Sequence, residues 1–180
     1  VRGIDRVGGT VYHSYDPRVT RLGDTYYVMF AMDTDAGCRL GLGRTTDFTS
    51  LEFMGTSGTD DIRNGVLFPE KIGGSFLRLD RPNRVTFESG VTSGDTIVLS
   101  RSDDLIDWRP VAPVMRGRPH YWDELIGPGP PPVKTREGWL LVYHGVKDTV
   151  SGEVYRVGLA LLDLDEPTHV LRRLPTWILA

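Results

Sequence analysis

Asp16 is the residue of this sequence whose surroundings most favour chemistry. It stands between Tyr15 and Pro17, just ahead of an extended apolar segment, with Arg18 one step further on. Proline biases the residue before it toward extended geometry, so we expect Asp16 to be extended and held at a strand entrance. A carboxylate held in this way can serve as a general acid. An Asp-Pro turn that only starts a strand explains the same residues.

Arg63, Arg81 and His144 are the other candidates. Phe76 to Arg81 and Trp139 to His144 are the same distance apart along the chain, which predicts Arg81 and His144 at matching strand ends, at one mouth of a central channel. Arg63, like the carboxylate, precedes the first strand of a repeating unit and is expected at that mouth. Two guanidiniums beside an imidazole suit an oxyanion such as phosphate. A solvated loop arginine and a packed core histidine are the ordinary alternatives.

This set of side chains bears on the reaction. An inverting glycosidase needs a second carboxylate to activate water. When phosphate is the nucleophile, it only has to be held in place. The predicted cluster has one carboxylate and an anion cradle, and it therefore favours phosphate.

Short strands must position these residues. The chain has 21 glycines and 12 prolines, and helical periodicity nowhere extends beyond about two turns. Apolar residues alternate in short bursts, which predict strands at 18–22, 26–32, 39–43, 66–72, 76–79, 96–100, 139–143 and 157–162. Gly23-Asp24, Gly73-Gly74 and Glu137-Gly138 separate consecutive bursts as hairpin turns. The sequence predicts an all-β fold.

An internal repeat organises the strands. Similar strand segments end in the corners Asp47-Phe48, Asp104-Leu105 and Asp163-Leu164, which recur at nearly equal intervals. Four strands per unit of this length match a β-propeller blade, and the chain holds about three such units. A β-sandwich with coincidental similarity is the alternative.

The ends of the chain affect the domain prediction. It begins at Val1 and closes on the apolar residues 177–180. Three blades cannot close a ring, because propellers have about four blades or more. We expect residues 1–180 to form a single propeller domain that is incomplete at both ends.

Composition excludes several classes of protein. The net charge is −3 over 180 residues, so no basic surface argues for nucleic acid. No apolar run approaches the length of a membrane helix, so no membrane partner is expected. The single Cys38 is expected to be a packed thiol in a reducing compartment, which favours a cytoplasmic location.

No metal or organic cofactor is expected. His13, His120 and His169 lack the spacing of metal ligands. Residues 33–37 resemble part of a calcium loop, but the rest of its ligand set is missing and a hairpin turn is the better interpretation.

Five short motifs stand in order along the chain: Tyr15-Asp16-Pro17-Arg18, Arg63-Asn64-Gly65, Asp80-Arg81-Pro82, Ile126-Gly127-Pro128 and Tyr143-His144-Gly145. With the segment 158–167 they resemble glycoside hydrolase family 130, and the resemblance extends over about residues 15–174. It implies a five-bladed β-propeller and an enzyme that cleaves β-mannosidic linkages with inversion, mostly by phosphorolysis.

The resemblance also assigns roles. Asp16 matches the family's general acid, which passes its proton through a hydroxyl of the mannose. The phosphate-binding positions match Arg63, Arg81, His144 and Tyr155, and the sugar-binding positions match Tyr15 and Asn64. The implied partners are an oligosaccharide and inorganic phosphate as co-substrate. Because family members often form oligomers, a homo-oligomer is also expected.

One position departs from the family pattern. The phosphorylases carry a lysine just before the Ile-Gly pair, where this sequence has Leu125. Loss of a cation weakens a phosphate cradle. Three interpretations stay open: a phosphorylase with an altered site, a phosphate-independent β-mannoside hydrolase, and a non-catalytic propeller module that binds glycans or a protein.

Overall fold

The computed structural model describes residues 1–57, 61–83, 85–87, 90–92 and 94–180. A 3-10 helix at Ile4–Val7 precedes a chain of antiparallel strands. Within the described ranges, no helix is long and apolar enough to cross a membrane.

The first sheet has four strands in the order β1-β2-β3-β4, namely β1 (Val11–Leu22), β2 (Thr25–Thr34), β3 (Gly37–Thr45) and β4 (Glu52–Thr56). The second contains β5 (Ile62–Leu67) and β6 (Phe76–Pro82). A separate two-stranded ribbon, β7 (Val85–Phe87) and β8 (Gly90–Thr92), follows. The second sheet is then completed by β9 (Thr96–Ser102) and β10 (Arg109–Arg116), in the order β5-β6-β9-β10.

The third sheet runs β11-β13-β14-β15, with β12 paired to β13 beside this path. Its strands are β11 (Leu125–Pro128), β12 (Val133–Lys134), β13 (Trp139–Thr149), β14 (Gly152–Leu162) and β15 (Val170–Arg173). These three sheets are blades, so the predictions of an all-β fold and of about three four-stranded blades are confirmed, with β12 as an additional short strand of the third.

The predicted strand at 66–72 is wrong in its bounds. The strand is β5, Ile62–Leu67, which begins four residues earlier and ends before Pro69. Proline cannot donate to a ladder, so it favours the end of a strand. Ile72 instead pairs with Ser75 around the predicted Gly73-Gly74 turn.

The repeated corners share one hydrogen bond. In each corner the aspartate Oδ1 accepts the backbone N–H two residues further on at 2.9 Å, in the pairs Asp47–Thr49, Asp104–Ile106 and Asp163–Asp165. Backbone donors lower the pKa of all three carboxyl groups. The repeat predicted from the sequence is therefore a repeat of local geometry as well.

Apolar residues hold the blades together. Strand β5 contacts the first blade through β1, β2 and β3, and β11 contacts the second blade through β5, β6 and β9. The largest core cluster joins the second and third blades, and its buried members include Val66, Phe68, Leu79, Ile97, Ile126, Trp139 and Leu141. This packing fixes the first strand of each blade relative to the next.

Leu141 tests this core. It is fully buried, whereas Leu171 on β15 is 40% exposed. Leu141→Ala is expected to lower the free energy of unfolding by about 2–5 kcal/mol through lost burial and a residual cavity. The matched Leu171→Ala is expected to change it by about 0.5 kcal/mol or less. Urea unfolding measures both, and equal effects would contradict the assignment of this cluster as the core.

Candidate active site

Asp16 and Asn64 lie at two β-bulges and contact each other. The register of β1 shifts between Tyr15 and Arg18, and that of β5 shifts between Arg63 and Val66. Asp16 has φ 56° and Asn64 has φ 55°, both in the left-handed region. Asn64 Nδ2 donates to Asp16 Oδ2 at 2.8 Å. Bulges re-aim side chains, and here two of them bring a carboxylate and an amide together.

The predicted backbone of Asp16 is wrong. Asp16 is left-handed rather than extended, and it lies inside β1 rather than at the strand entrance. Arg63 likewise lies inside β5 rather than ahead of it. Aspartate and asparagine enter the left-handed region at lower cost than most residues, because a short polar side chain bonds locally. The bulge and the bond to Asn64 therefore outweigh the bias from Pro17.

Arg18 is the second side chain that bonds to the Asp16 carboxylate. Its Nη1 donates to Asp16 Oδ2 at 2.7 Å. Its Nε and Nη2 donate to the carbonyls of Gly129 and Pro128 at 2.9 and 3.2 Å. Arg18 thus reaches from the first blade to the proline-rich segment of the third. Its side chain is 10% exposed, against 38% for Asp16.

Arg63 and Arg81 face each other across the second blade. They are direct register partners in β5 and β6, and like charges in this position are destabilising. Burial and the charge of Arg63 lower the pKa of Arg81. The Nε atoms of both side chains are buried without a hydrogen-bond partner. This pair is suited to an anion, whose oxygens would pair the donors and offset the repulsion.

Two polar side chains hold these arginines in place. Asp33 Oδ1 lies 3.9 Å from Arg63 Nη2, and Asn83 Oδ1 accepts from Arg81 Nη2 at 3.4 Å. Asn83 Nδ2 in turn donates to Asp61 Oδ1 at 2.7 Å. Each arginine therefore has a support on its own side of the pair.

His144 completes the cluster, although it does not end a strand. Strand β13 continues to Thr149, so the predicted match of strand ends with Arg81 is wrong for His144. Burial, Arg81 and Arg18 lower the pKa of His144 to about 4, while Asp16 opposes the shift. The imidazole is neutral at neutral pH. A Cβ on Gly127 would lie 2.6 Å from His144 Nε2, so only glycine fits opposite it.

The two candidate tyrosines, Tyr155 and Tyr15, have different contacts. The ring of Tyr155 lies 6.0 Å from that of His144, and its hydroxyl donates to Glu153 at 3.0 Å. Tyr155 is 56% exposed at the border of the cluster. The hydroxyl of Tyr15 donates to Asp33 Oδ1 at 2.9 Å, and the same oxygen lies 3.9 Å from Arg63. Its part in sugar binding stays a prediction, as do the roles of the other candidate residues.

Sequence reasoning missed two contributions, and one of its predictions is confirmed. Arg18 was given no role, although a partner two residues from Asp16 on a strand was a usable signal. Asp33 was interpreted only as part of a hairpin, which it is, but the register of β1 and β2 also carries it to Arg63. Buried Cys38 is indeed packed in β3, and its sulfur lies 3.8 Å from the Tyr15 hydroxyl. These contacts depend on strand register, which a local pattern does not supply.

Leu125 lies on the site-facing side of β11. It pairs with Val146, and Gly127 pairs with His144 two positions along. Alternate residues of a strand share a face, so the Leu125 side chain is on the face that carries His144 and Tyr155. A lysine here would bring a cation to that face, and the chain supplies an apolar side chain instead.

The fold and the candidate site together define a class of protein, namely a β-propeller with a cluster of charged side chains. Blades of a β-propeller bring a doubly hydrogen-bonded carboxylate next to paired guanidiniums and a neutral imidazole. Arg18 is paired with Asp16, whereas Arg63 and Arg81 present buried Nε donors without partners. The site therefore combines a fixed carboxylate with donors that suit an anion.

Comparison with known proteins gives the family. The profile of glycoside hydrolase family 130, described as β-1,4-mannooligosaccharide phosphorylase, matches residues 5–180. The chain belongs to this family. It is 37% identical to a β-1,2-mannobiose phosphorylase from Listeria innocua over 91% of this chain and 44% of that protein. It is 34% identical to a β-1,4-mannooligosaccharide phosphorylase from Ruminococcus albus over 93% of this chain and 49% of that protein.

A solved structure supports the fold. The Listeria innocua β-1,2-mannobiose phosphorylase, in complex with β-1,2-mannobiose, matches with a TM-score of 0.82 and 38% identity. The match covers 92% of this chain and 45% of that one. Family members are five-bladed β-propellers, and the chain spans about half the length of the curated relatives it matches.

The His144 imidazole provides a test of the site. Its pKa is expected near 4 in the protein without ligand. Added inorganic phosphate is expected to raise this pKa, because a nearby anion favours the imidazolium form. An NMR titration of the histidine ring signals measures the shift, with sodium chloride at equal ionic strength as the control. A pKa that phosphate does not change would contradict an anion site beside His144.

Proposed function

We propose that the protein containing this chain cleaves β-mannosidic linkages by phosphorolysis. The observation that carries the proposal is the register pairing of Arg63 with Arg81, whose buried Nε atoms have no partner. A pair of like charges whose buried Nε donors are unused is costly, and phosphate relieves both costs. His144 is neutral and adds a hydrogen-bonding group without adding to the repulsion. No organic cofactor is needed, since phosphate is the co-substrate.

The reaction can be written with the residues in place. A phosphate oxygen held by Arg63 and Arg81 attacks the anomeric carbon, and the bond from that carbon to the leaving sugar breaks. Asp16 supplies the proton that the leaving oxygen takes up, directly or through a mannose hydroxyl. The hydroxyl proton of the attacking phosphate is released to solvent, and Asp16 regains one from there. The products are mannose 1-phosphate and the shortened sugar.

The stereochemistry follows from the number of displacements. One attack by phosphate on the face opposite the leaving group inverts the anomeric centre, so a β-linkage gives an α-phosphate. Asp16 and the arginine pair lie on different blades, with Asn64 between them. This separation suits a sugar ring with an acid on one side and a nucleophile on the other.

Short β-mannosides are the substrates we favour. The similar proteins carry names for β-1,2-mannobiose and β-1,4-mannooligosaccharides. Both are mannosides whose reducing-end sugar leaves as an alcohol, which needs protonation. We expect Asn64, which is bonded to Asp16, to contact the sugar between acid and anion.

A phosphate-independent hydrolase is the second candidate. Leu125 stands where the phosphorylases have lysine, and Asp33 is a second carboxylate 3.9 Å from Arg63. An inverting hydrolase uses such a carboxylate to activate water. Under this alternative, Asp33 acts as the general base and the anion cradle is less used.

Phosphate dependence separates the candidates. The protein, expressed at its natural full length, is expected to release mannose 1-phosphate from β-mannobioses only when phosphate is present. Asp16→Asn is expected to lower kcat about 10²- to 10⁴-fold, the contribution of a general acid. Anion-exchange chromatography of the products measures both effects. Asp24→Asn, an exposed aspartate of the turn after β1, is the matched control.

Two results would count against this proposal. Free mannose formed at equal rates with and without phosphate indicates the hydrolase. Full activity of Asp16→Asn contradicts its role as the acid under either reaction.

Leu125→Lys tests the departure from the family pattern. A cation on the face of His144 is expected to lower the KM for phosphate by about tenfold, the effect of one charge-assisted contact. Steady-state kinetics at varied phosphate measures the change, with the surface variant Leu171→Lys as the control. A KM that stays the same in Leu125→Lys would show that this position does not face the bound anion.

A further inference from the structure

Arg18 bonds both to Asp16 and to the third blade. Nη1, Nη2 and Nε each donate to a different acceptor, namely Asp16 Oδ2, Pro128 O and Gly129 O. A planar fork of donors fits three acceptors in this way, and an ammonium group does not. Because the side chain is 10% exposed, these bonds are largely shielded from water and from screening by salt.

The acceptors of Arg18 are themselves fixed. Gly129 N donates to Val142 O at 3.0 Å, and a Cβ on Gly129 would lie 2.7 Å from that oxygen. Pro128 is the last residue of β11 and pairs with Tyr143. The guanidinium is therefore anchored on the backbone of the third blade, which is a rigid reference for a side chain of the first.

Both donors to Asp16 use the same oxygen. Arg18 Nη1 and Asn64 Nδ2 contact Oδ2 at 2.7 and 2.8 Å. Within the part of the chain that the structure describes, no hydrogen bond is formed to Oδ1. A carboxyl group protonates on one oxygen at a time, and an oxygen that already accepts two donors is the poorer site for the proton.

We propose that Arg18 is a positioning residue that locks Asp16 through Oδ2 and so leaves Oδ1 as the oxygen that exchanges the proton with the substrate. This inference rests on the proposed function, in which Asp16 is the acid. It adds that the geometry of the acid is set from the third blade, through the carbonyls of Pro128 and Gly129. Arg18 itself does not touch the reacting atoms.

Leaving-group chemistry provides a test that a purely structural role would fail. The sugar leaving group of mannobiose needs a proton, whereas the phenolate of 2,4-dinitrophenyl β-mannoside does not. Arg18→Met keeps an unbranched stem but removes the guanidinium and its donors, and it is expected to lower kcat on mannobiose about 10- to 100-fold. With the dinitrophenyl substrate and phosphate, kcat is expected to stay within about twofold, because protonation no longer limits the reaction.

Three variants complete the experiment. Arg18→Lys keeps the charge without the fork and is expected to recover only part of kcat. Arg21→Met, an exposed arginine on the same strand, is expected to behave like the native protein. In the Asp16→Asn background, Arg18→Met is expected to cause no further loss, since the two residues act as a unit. Unfolding midpoints of all variants show whether the fold is retained.

The outcomes are distinguishable. Equal losses on mannobiose and on the dinitrophenyl substrate, or no loss on either, would overturn the role of Arg18 while leaving the proposed function standing. Additive losses in the double variant would also overturn it. A native protein that cleaves none of these mannosides contradicts the proposed function, and the role of Arg18 with it.

Discussion

Apolar packing between the second and third blades is the constraint on which the site depends. Phe68 and Trp139 meet edge to face, with ring centroids 5.2 Å apart, and Ile126 of β11 is fully buried beside them. These contacts bring β5 and β11 so close that a Cβ added at Gly127 would lie 3.0 Å from Asn64 Oδ1. The spacing between Asn64 and His144 around Gly127 is therefore set by hydrophobic packing rather than by the polar groups themselves.

Two pairs of charged side chains in this protein differ in kind. Arg78 and Asp80 are each 1% exposed and form an ion pair at 2.6 Å, with the guanidinium 4.3 Å from the ring of Trp108. The opposite charges of Arg78 and Asp80 balance each other, and the pair has a structural role. The charges of Arg63 and Arg81 have the same sign, and their partners Asp33 and Asn83 stand 3.9 and 3.4 Å away.

The contrast between the two kinds supports the proposed anion site. Like charges on paired strands, with buried donors that lack a partner, lower stability, so ligand binding explains this arrangement better than folding does. Under the proposed function an oxyanion pairs these donors, and a loosely held guanidinium pair can exchange solvent for phosphate without breaking strong internal bonds. Arg78 also has a buried Nη1 without a partner, but its charge is paired with that of Asp80.

The sequence predicted the architecture of the chain more accurately than it predicted the local backbone geometry of the site. Strand alternation, hairpin turns and the Asp-apolar corners are local signals, and they were enough for three four-stranded blades. The bulges at Asp16 and Asn64 were not predictable, because each depends on pairing with another strand and on the bond between the two side chains. For the same reason Pro17 was misleading: its bias toward extended geometry is local, and long-range contacts outweighed it. The position of Asp33 depends on strand register, and that of Arg18 on a contact between the first and third blades. Neither can be seen in a short window of sequence.

The two bulges also explain how the acid and the anion cradle remain separable. A left-handed non-glycine residue costs on the order of 1–3 kcal/mol, and the strain at Asp16 and Asn64 is offset in part by the bond between them. That strain is confined to β1 and β5, and Arg18 secures it to the backbone of the third blade. In the proposed site the phosphate side takes Arg63 from β5 itself, and its other side chains come from β6, β13 and β14. Leu125 lies on β11, outside both bulges. Under the proposed function, a change at this position therefore alters how phosphate is held while Asp16 keeps its geometry.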